Sequence, residues 1–104
     1  MKPPTWIQIL AASCLLVAAP VYANETIARE TGCLACHAVD KRVVGKAYRD
    51  VAAKYRANPF AATIIRYKVR NGTGNNKPVP MPAFDKKALS DADLTAIIAW
   101  ILKQ

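Results

Sequence analysis

The sequence has few metal-binding side chains, with one histidine and three cysteines among 104 residues. A structural zinc site needs about four cysteine or histidine ligands. Outside Cys14, the chain offers only Cys33, Cys36 and His37, so one ligand is missing. A structural zinc site is therefore not expected.

The sequence also lacks the patterns that are typical of strands and of membrane spans. No alternating run of β-branched residues precedes Cys33, and this disfavours a thioredoxin-like dithiol, which adjoins a βαβ pattern. The apolar run from Ile7 to Ala19 is shorter than the roughly 20 residues that cross a bilayer, and Pro20 interrupts it. Helices are therefore favoured over strands.

Residues 1–23 have the features of a cleaved export signal. Lys2 supplies the positive n-region, an apolar run follows, and a small-residue cleavage site ends at Ala23. Cleavage there would remove Cys14 and leave 104 − 23 = 81 residues, a single domain at 24–104, with no stable membrane insertion. An uncleaved membrane anchor and a lipoprotein modified at Cys14 are the alternatives.

The pentapeptide from Cys33 to His37 is the strongest chemical signal in the chain. It matches C-x-x-C-H, the pattern by which haem is covalently attached. On a helix, positions i, i+3 and i+4 share one face, so both sulfurs could bond the vinyl-derived carbons of a porphyrin while the imidazole points at its iron. A structural disulfide, or a buried dithiol with a core histidine, is the alternative.

Apolar spacing predicts helices on both sides of this motif. Asn24 can cap a first helix that runs through Glu30. The second predicted helix carries apolar residues at i, i+3, i+4 and i+7, namely Tyr48, Val51, Ala52 and Tyr55. Asn58 and Pro59 begin a third helix, which Asn71-Gly72 ends. Its apolar residues Phe60, Ile64 and Tyr67 continue one face as far as Arg70.

A last helix is predicted at the end of the chain. Ser90 caps it, and Asp93 three residues later gives an imperfect capping box. Its expected buried stripe consists of Leu94, Ile97, Ile98, Ile101 and Leu102, with Trp100 at the edge.

Residues 71–89 form a long segment without helical or strand periodicity. A compact domain seldom tolerates such a loop unless the loop has a role. Pro80 and Pro82 flank Met81 and stiffen its backbone, so the thioether can be presented with little entropy to lose. Methionine in a loop more often fills a packing gap. Because Met81 is the only methionine left after signal removal, we favour a ligand role.

Basic residues outnumber acidic residues by fifteen to seven, which gives a net charge of +8. Removal of Lys2 with the signal leaves 14 − 7 = +7. Such an excess suits docking to acidic surfaces of partner proteins, and a basic surface that serves only solubility is the alternative. Nucleic acid is not an expected partner, because the charges are spread and an exported protein rarely meets it.

The motifs, in their order along the chain, resemble those of the small monohaem class I c-type cytochromes of the bacterial periplasm. The resemblance covers essentially all of residues 24–104. It rests on Gly-Cys-x-x-Cys-His at 32–37, Val-Gly-x-Ala-Tyr-x-Asp-Val-Ala at 44–52, Asn-Gly at 71–72, Pro-Met-Pro at 80–82 and the last helix with its tryptophan.

This resemblance implies an all-α, class I cytochrome c fold. About four helices would wrap around one covalently bound haem c, and the N- and C-terminal helices would cross. Cys33 and Cys36 would bind the haem, His37 and Met81 would be its axial iron ligands, and Lys68 would lie near a haem propionate.

Two positions depart from the family pattern. Lys46 stands where the family often has proline, next to Gly45, whose carbonyl is expected to accept the ring N–H of His37. Phe84 stands where some members place an asparagine that hydrogen-bonds the ligand methionine.

The implied function is electron transfer and not enzymatic catalysis. Iron with both axial positions filled has no open site for a substrate. We therefore expect a periplasmic one-electron carrier that shuttles electrons between redox protein partners. A haem-bearing subunit of a larger periplasmic oxidoreductase is the alternative, and a dithiol redox protein without haem is a third.

Overall fold

The computed structural model describes residues 23–74 and 77–104, so the predicted signal segment, except Ala23, lies outside the described residues. The regular secondary structure of these ranges is helical, which confirms the all-α prediction. The helices are α1 (Ala23–Glu30), α2 (Cys33–Cys36), α3 (Tyr48–Tyr55), α4 (Ala61–Asn71) and α5 (Asp91–Leu102). None of them has the length and apolar character that a bilayer crossing requires.

Helix boundaries follow the sequence signals with small shifts. Helix α1 begins at Ala23, which places Asn24 inside the first turn and not at the cap. Helix α3 contains all four of the predicted apolar positions, from Tyr48 to Tyr55. Helix α4 begins at Ala61, two residues after Pro59, although the side chain of Asn58 does accept a hydrogen bond from the Phe60 N–H at 2.8 Å.

Helix α4 buries a different face from the one marked by its large apolar residues. Phe60 is 66% exposed and Tyr67 is 69% exposed. Ala61, Ile65 and Val69 are buried instead. These smaller side chains allow α4 to lie close to α5, against which it packs.

Helix α5 is the centre of the core, and α1, α3 and α4 all pack against it. The Ser90 hydroxyl accepts a hydrogen bond from the Asp93 N–H at 3.1 Å, which confirms the predicted cap. Four members of the predicted stripe are buried, Leu94, Ile97, Ile98 and Ile101, while Leu102 is only partly buried. Burial of each such side chain stabilises the fold by about 1.5–3 kcal/mol. The apolar stripe of α5 therefore holds α1, α3 and α4 in place.

Candidate haem site

A cavity of about 840 Å³ opens next to this core, and its lining is mainly apolar. Cofactor sites in proteins have this size and character. The lining includes core residues of α4, α5 and the loop between them: Ile65, Val69, Leu89, Leu94, Ile97 and Ile101. The four site residues predicted from the sequence, Cys33, Cys36, His37 and Met81, all line the same cavity.

The two cysteines occupy a single helical turn. Gly32 precedes the turn with a φ of +89°, a left-handed conformation that favours glycine. His37 lies just outside the helix with extended backbone angles, φ −116° and ψ 151°, although its N–H still donates to the carbonyl of Cys33. His37 is therefore the C-cap and not a residue of the helix, although it lines the same cavity as the two cysteines. No disulfide joins the two cysteines.

The imidazole of His37 is held by the backbone of the following loop. Its Nδ1 atom lies 2.8 Å from the carbonyl oxygen of Lys46. A carbonyl can only accept, so Nδ1 carries the proton and Nε2 keeps a lone pair that can bind a metal. The expectation that Gly45 supplies this carbonyl is wrong, because the acceptor belongs to the next residue, at the position where the family often has proline.

Gly45 has a different role, which is to leave room for the ring. A Cβ atom at this position would lie 2.7 Å from Nδ1 and 2.8 Å from Nε2 of His37. The N–H of Gly45 donates to the carbonyl of Cys36 at 2.6 Å, which fastens the loop to the cysteine motif. Neighbouring residues thus supply the space and the acceptor for the imidazole.

Aromatic contacts connect His37 to the last helix. The ring of His37 stacks on that of Tyr48, with centroids 4.9 Å apart and an interplanar angle of 16°. Tyr48 in turn meets Trp100 edge-on at 5.5 Å. Burial, together with the neighbouring thiol of Cys33, raises the pKa of Tyr48, so its phenol stays neutral. The sequence placed Tyr48 on a helix but did not predict this stack.

Met81 is fastened to the end of α4 through Thr73. The Met81 N–H donates to the Thr73 hydroxyl at 2.9 Å, and the Thr73 N–H donates to the Met81 carbonyl at 3.1 Å. Gly72, with φ +71°, makes this close approach possible, because a Cβ there would lie 2.6 Å from the Met81 carbonyl oxygen. Met81 is partly buried and packs against the core.

Cations predominate among the charged residues that line the cavity. The basic ones are Arg42, Lys46, Lys54, Lys68 and Lys77, and the acidic one is Asp50. Lys68 Nζ donates to the hydroxyl of Tyr55 at 2.8 Å, and this hydrogen bond is the main reason why the pKa of Tyr55 is lowered. Both Lys68 and Tyr55 line the cavity.

Comparison with known proteins places this chain in a family. The family model described as cytochrome C oxidase, cbb3-type, subunit III, matches residues 23–101. The chain is 42% identical over 98 residues to cytochrome c-552 of Nitrosomonas europaea, covering 93% of each chain. It is 37% identical to cytochrome c-551 of Pseudomonas aeruginosa, covering 100% of this chain and 99% of that protein.

Solved structures agree with the sequence matches. The wild-type cytochrome c552 crystal structure from Nitrosomonas europaea superposes with a TM-score of 0.66 at 40% identity, covering 76% of this chain and 96% of that one. The class 1 cytochrome MtoD of Sideroxydans lithotrophicus ES-1 gives 0.68 at 28% identity, covering 83% and 97% of the respective chains. The chain belongs to the small class I monohaem c-type cytochromes, which are electron-transfer proteins, not enzymes, and bind one covalently attached haem c.

Proposed function

We propose that this protein is a periplasmic one-electron carrier whose haem is bonded to Cys33 and Cys36 and ligated axially by His37 and Met81. The observation that carries the proposal is the convergence of these four side chains on one apolar cavity. The Nδ1 contact of His37 with the Lys46 carbonyl also supports it, because Nε2 is then the nitrogen left for iron.

Cys33 and Cys36 would hold the haem through two thioether bonds. Addition of each S–H across a vinyl group would form the C–S bond and place the hydrogen on the neighbouring vinyl carbon, so no external oxidant would be needed. No disulfide joins Cys33 and Cys36, and both residues line the cavity. The Gly32 turn places them one helical turn apart on the same side of α2.

The bound haem supplies an iron that takes up and releases one electron. The protein groups around it are fixed in advance, His37 by Lys46 and by Tyr48, and Met81 by Thr73. A neutral thioether stabilises ferrous over ferric iron more than a second imidazole does, so this ligand pair favours a positive reduction potential. With both axial positions filled, the site has no place for a substrate.

Acidic surfaces on redox proteins are the proposed docking partners. Five cationic side chains line the cavity from which an electron would leave, against one carboxylate. Complementary charge steers association and sets the orientation of the partner.

We further propose that residues 1–23 are removed on export. Intact-mass analysis of periplasmic material tests this directly and is expected to place the mature N-terminus at Asn24. A mass that retains Met1 to Ala23 would favour a membrane anchor.

A haem-bearing subunit of a larger oxidoreductase is the second candidate function. The description of the matching family model, which names an oxidase subunit, favours it. Copurification with a partner through high salt is expected for a subunit, while rapid exchange between partners in mixed solution is expected for a free carrier.

The attachment is tested by extraction of the purified protein with acidified acetone, followed by optical spectra in the reduced and oxidised states. Haem held by two thioether bonds stays with the protein, and Cys33→Ser or Cys36→Ser is expected to leave one bond and shift the reduced spectrum. A double variant, Cys33→Ser with Cys36→Ser, should lose its haem on extraction. Loss of colour from the wild-type protein would contradict covalent attachment at these residues.

A further inference from the structure

Arg70, in the last turn of α4, makes three hydrogen bonds to the segment that runs from Met81 to the start of α5. Its Nη1 atom donates to the carbonyl oxygens of Phe84 at 3.1 Å and Leu89 at 2.7 Å. Its Nη2 atom lies 2.7 Å from Oδ1 of Asp91, at the start of α5. The side chain of Arg70 is only 17% exposed and that of Asp91 is 57% exposed, so the two carbonyl contacts are better shielded from water than the ion pair.

The two carbonyls that Arg70 binds belong to residues of the cavity wall. The side chains of Phe84 and Leu89 both line the cavity. The N–H of Phe84 also donates to the carbonyl of Val69 at 3.0 Å, so consecutive residues of α4 hold both sides of residue 84. The chain from Met81 to α5 is therefore fixed at one end by Thr73 and at the other by Arg70.

We propose that Arg70 is a positioning residue for Met81, which keeps the thioether directed at the cavity by binding the loop carbonyls that follow it. This inference rests on the proposed ligation by Met81. The planar guanidinium fork has a rigid geometry that a flexible amine cannot reproduce. Loss of a charged donor would leave the carbonyls of Phe84 and Leu89 without their partner, and hydrogen bonds to charged groups are stronger than neutral ones.

Arg66 provides a matched control. It lies one turn earlier on α4, carries the same charge, donates to Thr95 and lies 3.8 Å from Asp91. Both contacts tie α4 to α5 and leave the carbonyls of Phe84 and Leu89 to Arg70. Arg66→Gln therefore removes an arginine that lies on the same helix and also contacts Asp91, while the bonds from Arg70 to Phe84 and Leu89 stay in place.

The experiment compares the haem-loaded Arg70→Gln and Arg66→Gln proteins with the wild type. Two readouts are followed, the amide hydrogen exchange of Met81 and Phe84 and the rate of cyanide binding to the oxidised protein. Relative to Arg66→Gln, Arg70→Gln is expected to raise the rate of amide exchange and the rate of cyanide binding by about tenfold each. This factor corresponds to the loss of one hydrogen bond from a charged donor. Equal values in the two variants, after correction for global unfolding in urea, would overturn the proposal.

Arg70→Lys keeps the positive charge near Asp91 but not the fork, and it carries the test if Arg70→Gln does not fold. Loop exchange and cyanide binding at wild-type rates in Arg70→Lys would also overturn the proposal. Failure of Met81 ligation is distinguishable, because the wild-type protein would then bind cyanide as fast as Met81→Ala. Amide hydrogen exchange at Phe84 would still report whether Arg70 fixes the segment between Met81 and α5.

Discussion

The Nδ1 atom of His37 donates to the carbonyl oxygen of Lys46, nine residues later in the chain, at 2.8 Å. Because the acceptor is a backbone group, the lysine at this position keeps the contact that a proline would also supply. The adjacent Gly45 is then the residue whose identity matters, since its missing Cβ makes the approach possible.

Gly45→Ala is expected to displace the imidazole or the loop beneath it. Overpacking of this kind costs typically about 1–3 kcal/mol, because the added methyl would lie 2.7 Å from Nδ1. The free energy of unfolding in guanidinium and the yield of haem-loaded protein measure the effect. Lys46→Ala is the control and should change stability by less than about 0.5 kcal/mol. Equal stability of the two variants would contradict the packing role of Gly45.

Gly72→Ala and Gly74→Ala compare a crowded glycine with an open one near Met81. The two glycines have similar positive φ angles, +71° and +67°, so alanine is strained at both positions. At Gly72 the new Cβ would lie 2.6 Å from the Met81 carbonyl oxygen, whereas at Gly74 no atom of the described residues would lie within 4 Å of it.

Gly72→Ala is therefore expected to be the less stable variant by about 1–3 kcal/mol. It should also bind cyanide faster in the oxidised state, because the loop that carries Met81 is pushed outward. Thermal unfolding and cyanide-binding rates test this pair, and a larger effect at Gly74 would be inconsistent with it.

Asp91 gives the fold a pH dependence with a defined sign. Hydrogen bonds from Arg70 and Lys86 lower the pKa of its carboxyl below the usual 3.8. A carboxyl whose pKa is lower in the folded state stabilises the fold above its unfolded pKa, and this contribution disappears as pH falls through the folded value. Asp91→Asn should thus be less stable than the wild type at neutral pH, and the difference should shrink in acid.

Urea unfolding at neutral and acidic pH measures this difference. Asp93→Asn, in the same helical turn, is the control for the general effect of a negative charge at the start of α5, and it leaves the Arg70 contact intact. A stability difference between wild type and Asp91→Asn that does not change with pH would show that the ion pair contributes nothing to the pH dependence.

Much of the fold follows from local signals in the sequence. The helical spacing in α3 and the serine cap with its apolar stripe in α5 are properties of neighbouring residues, and the structure has both as expected. The predicted face of α4 is wrong, because the large aromatic side chains of Phe60 and Tyr67 mark a face that is exposed, while the smaller Ala61, Ile65 and Val69 are buried. Which face is covered depends on how closely α4 lies against α5, and no local pattern contains that distance.

The candidate site also has a part that the sequence predicts and a part that it does not. The motif and Met81 are recognisable because short spacing and flanking prolines carry their signal. Thr73, Tyr48, Arg70 and the Lys46 carbonyl act through contacts between segments that are distant in sequence, and an arginine that binds loop carbonyls looks like any surface cation in the sequence.

Salt is expected to slow electron exchange with an acidic redox partner. Screening shortens to about 8 Å near physiological ionic strength, which weakens steering by exposed charges. Lys77→Gln, at the cavity lining, should lower the rate at low salt more than Lys103→Gln, near the C-terminus. Stopped-flow measurement of exchange with a partner from the same organism tests this, and a salt-independent rate would leave the charge with a role in solubility only.

The near-infrared spectrum of the oxidised protein, measured for wild type and Met81→Ala, tests the central claim most directly. Ligation by the thioether predicts a weak sulfur-to-iron band in the wild type. The band should be absent from the variant, which should also bind cyanide readily, have a lower potential and keep its covalently attached haem. A wild-type protein without the band, or a variant whose potential and cyanide binding match those of the wild type, would show that Met81 only packs against the core.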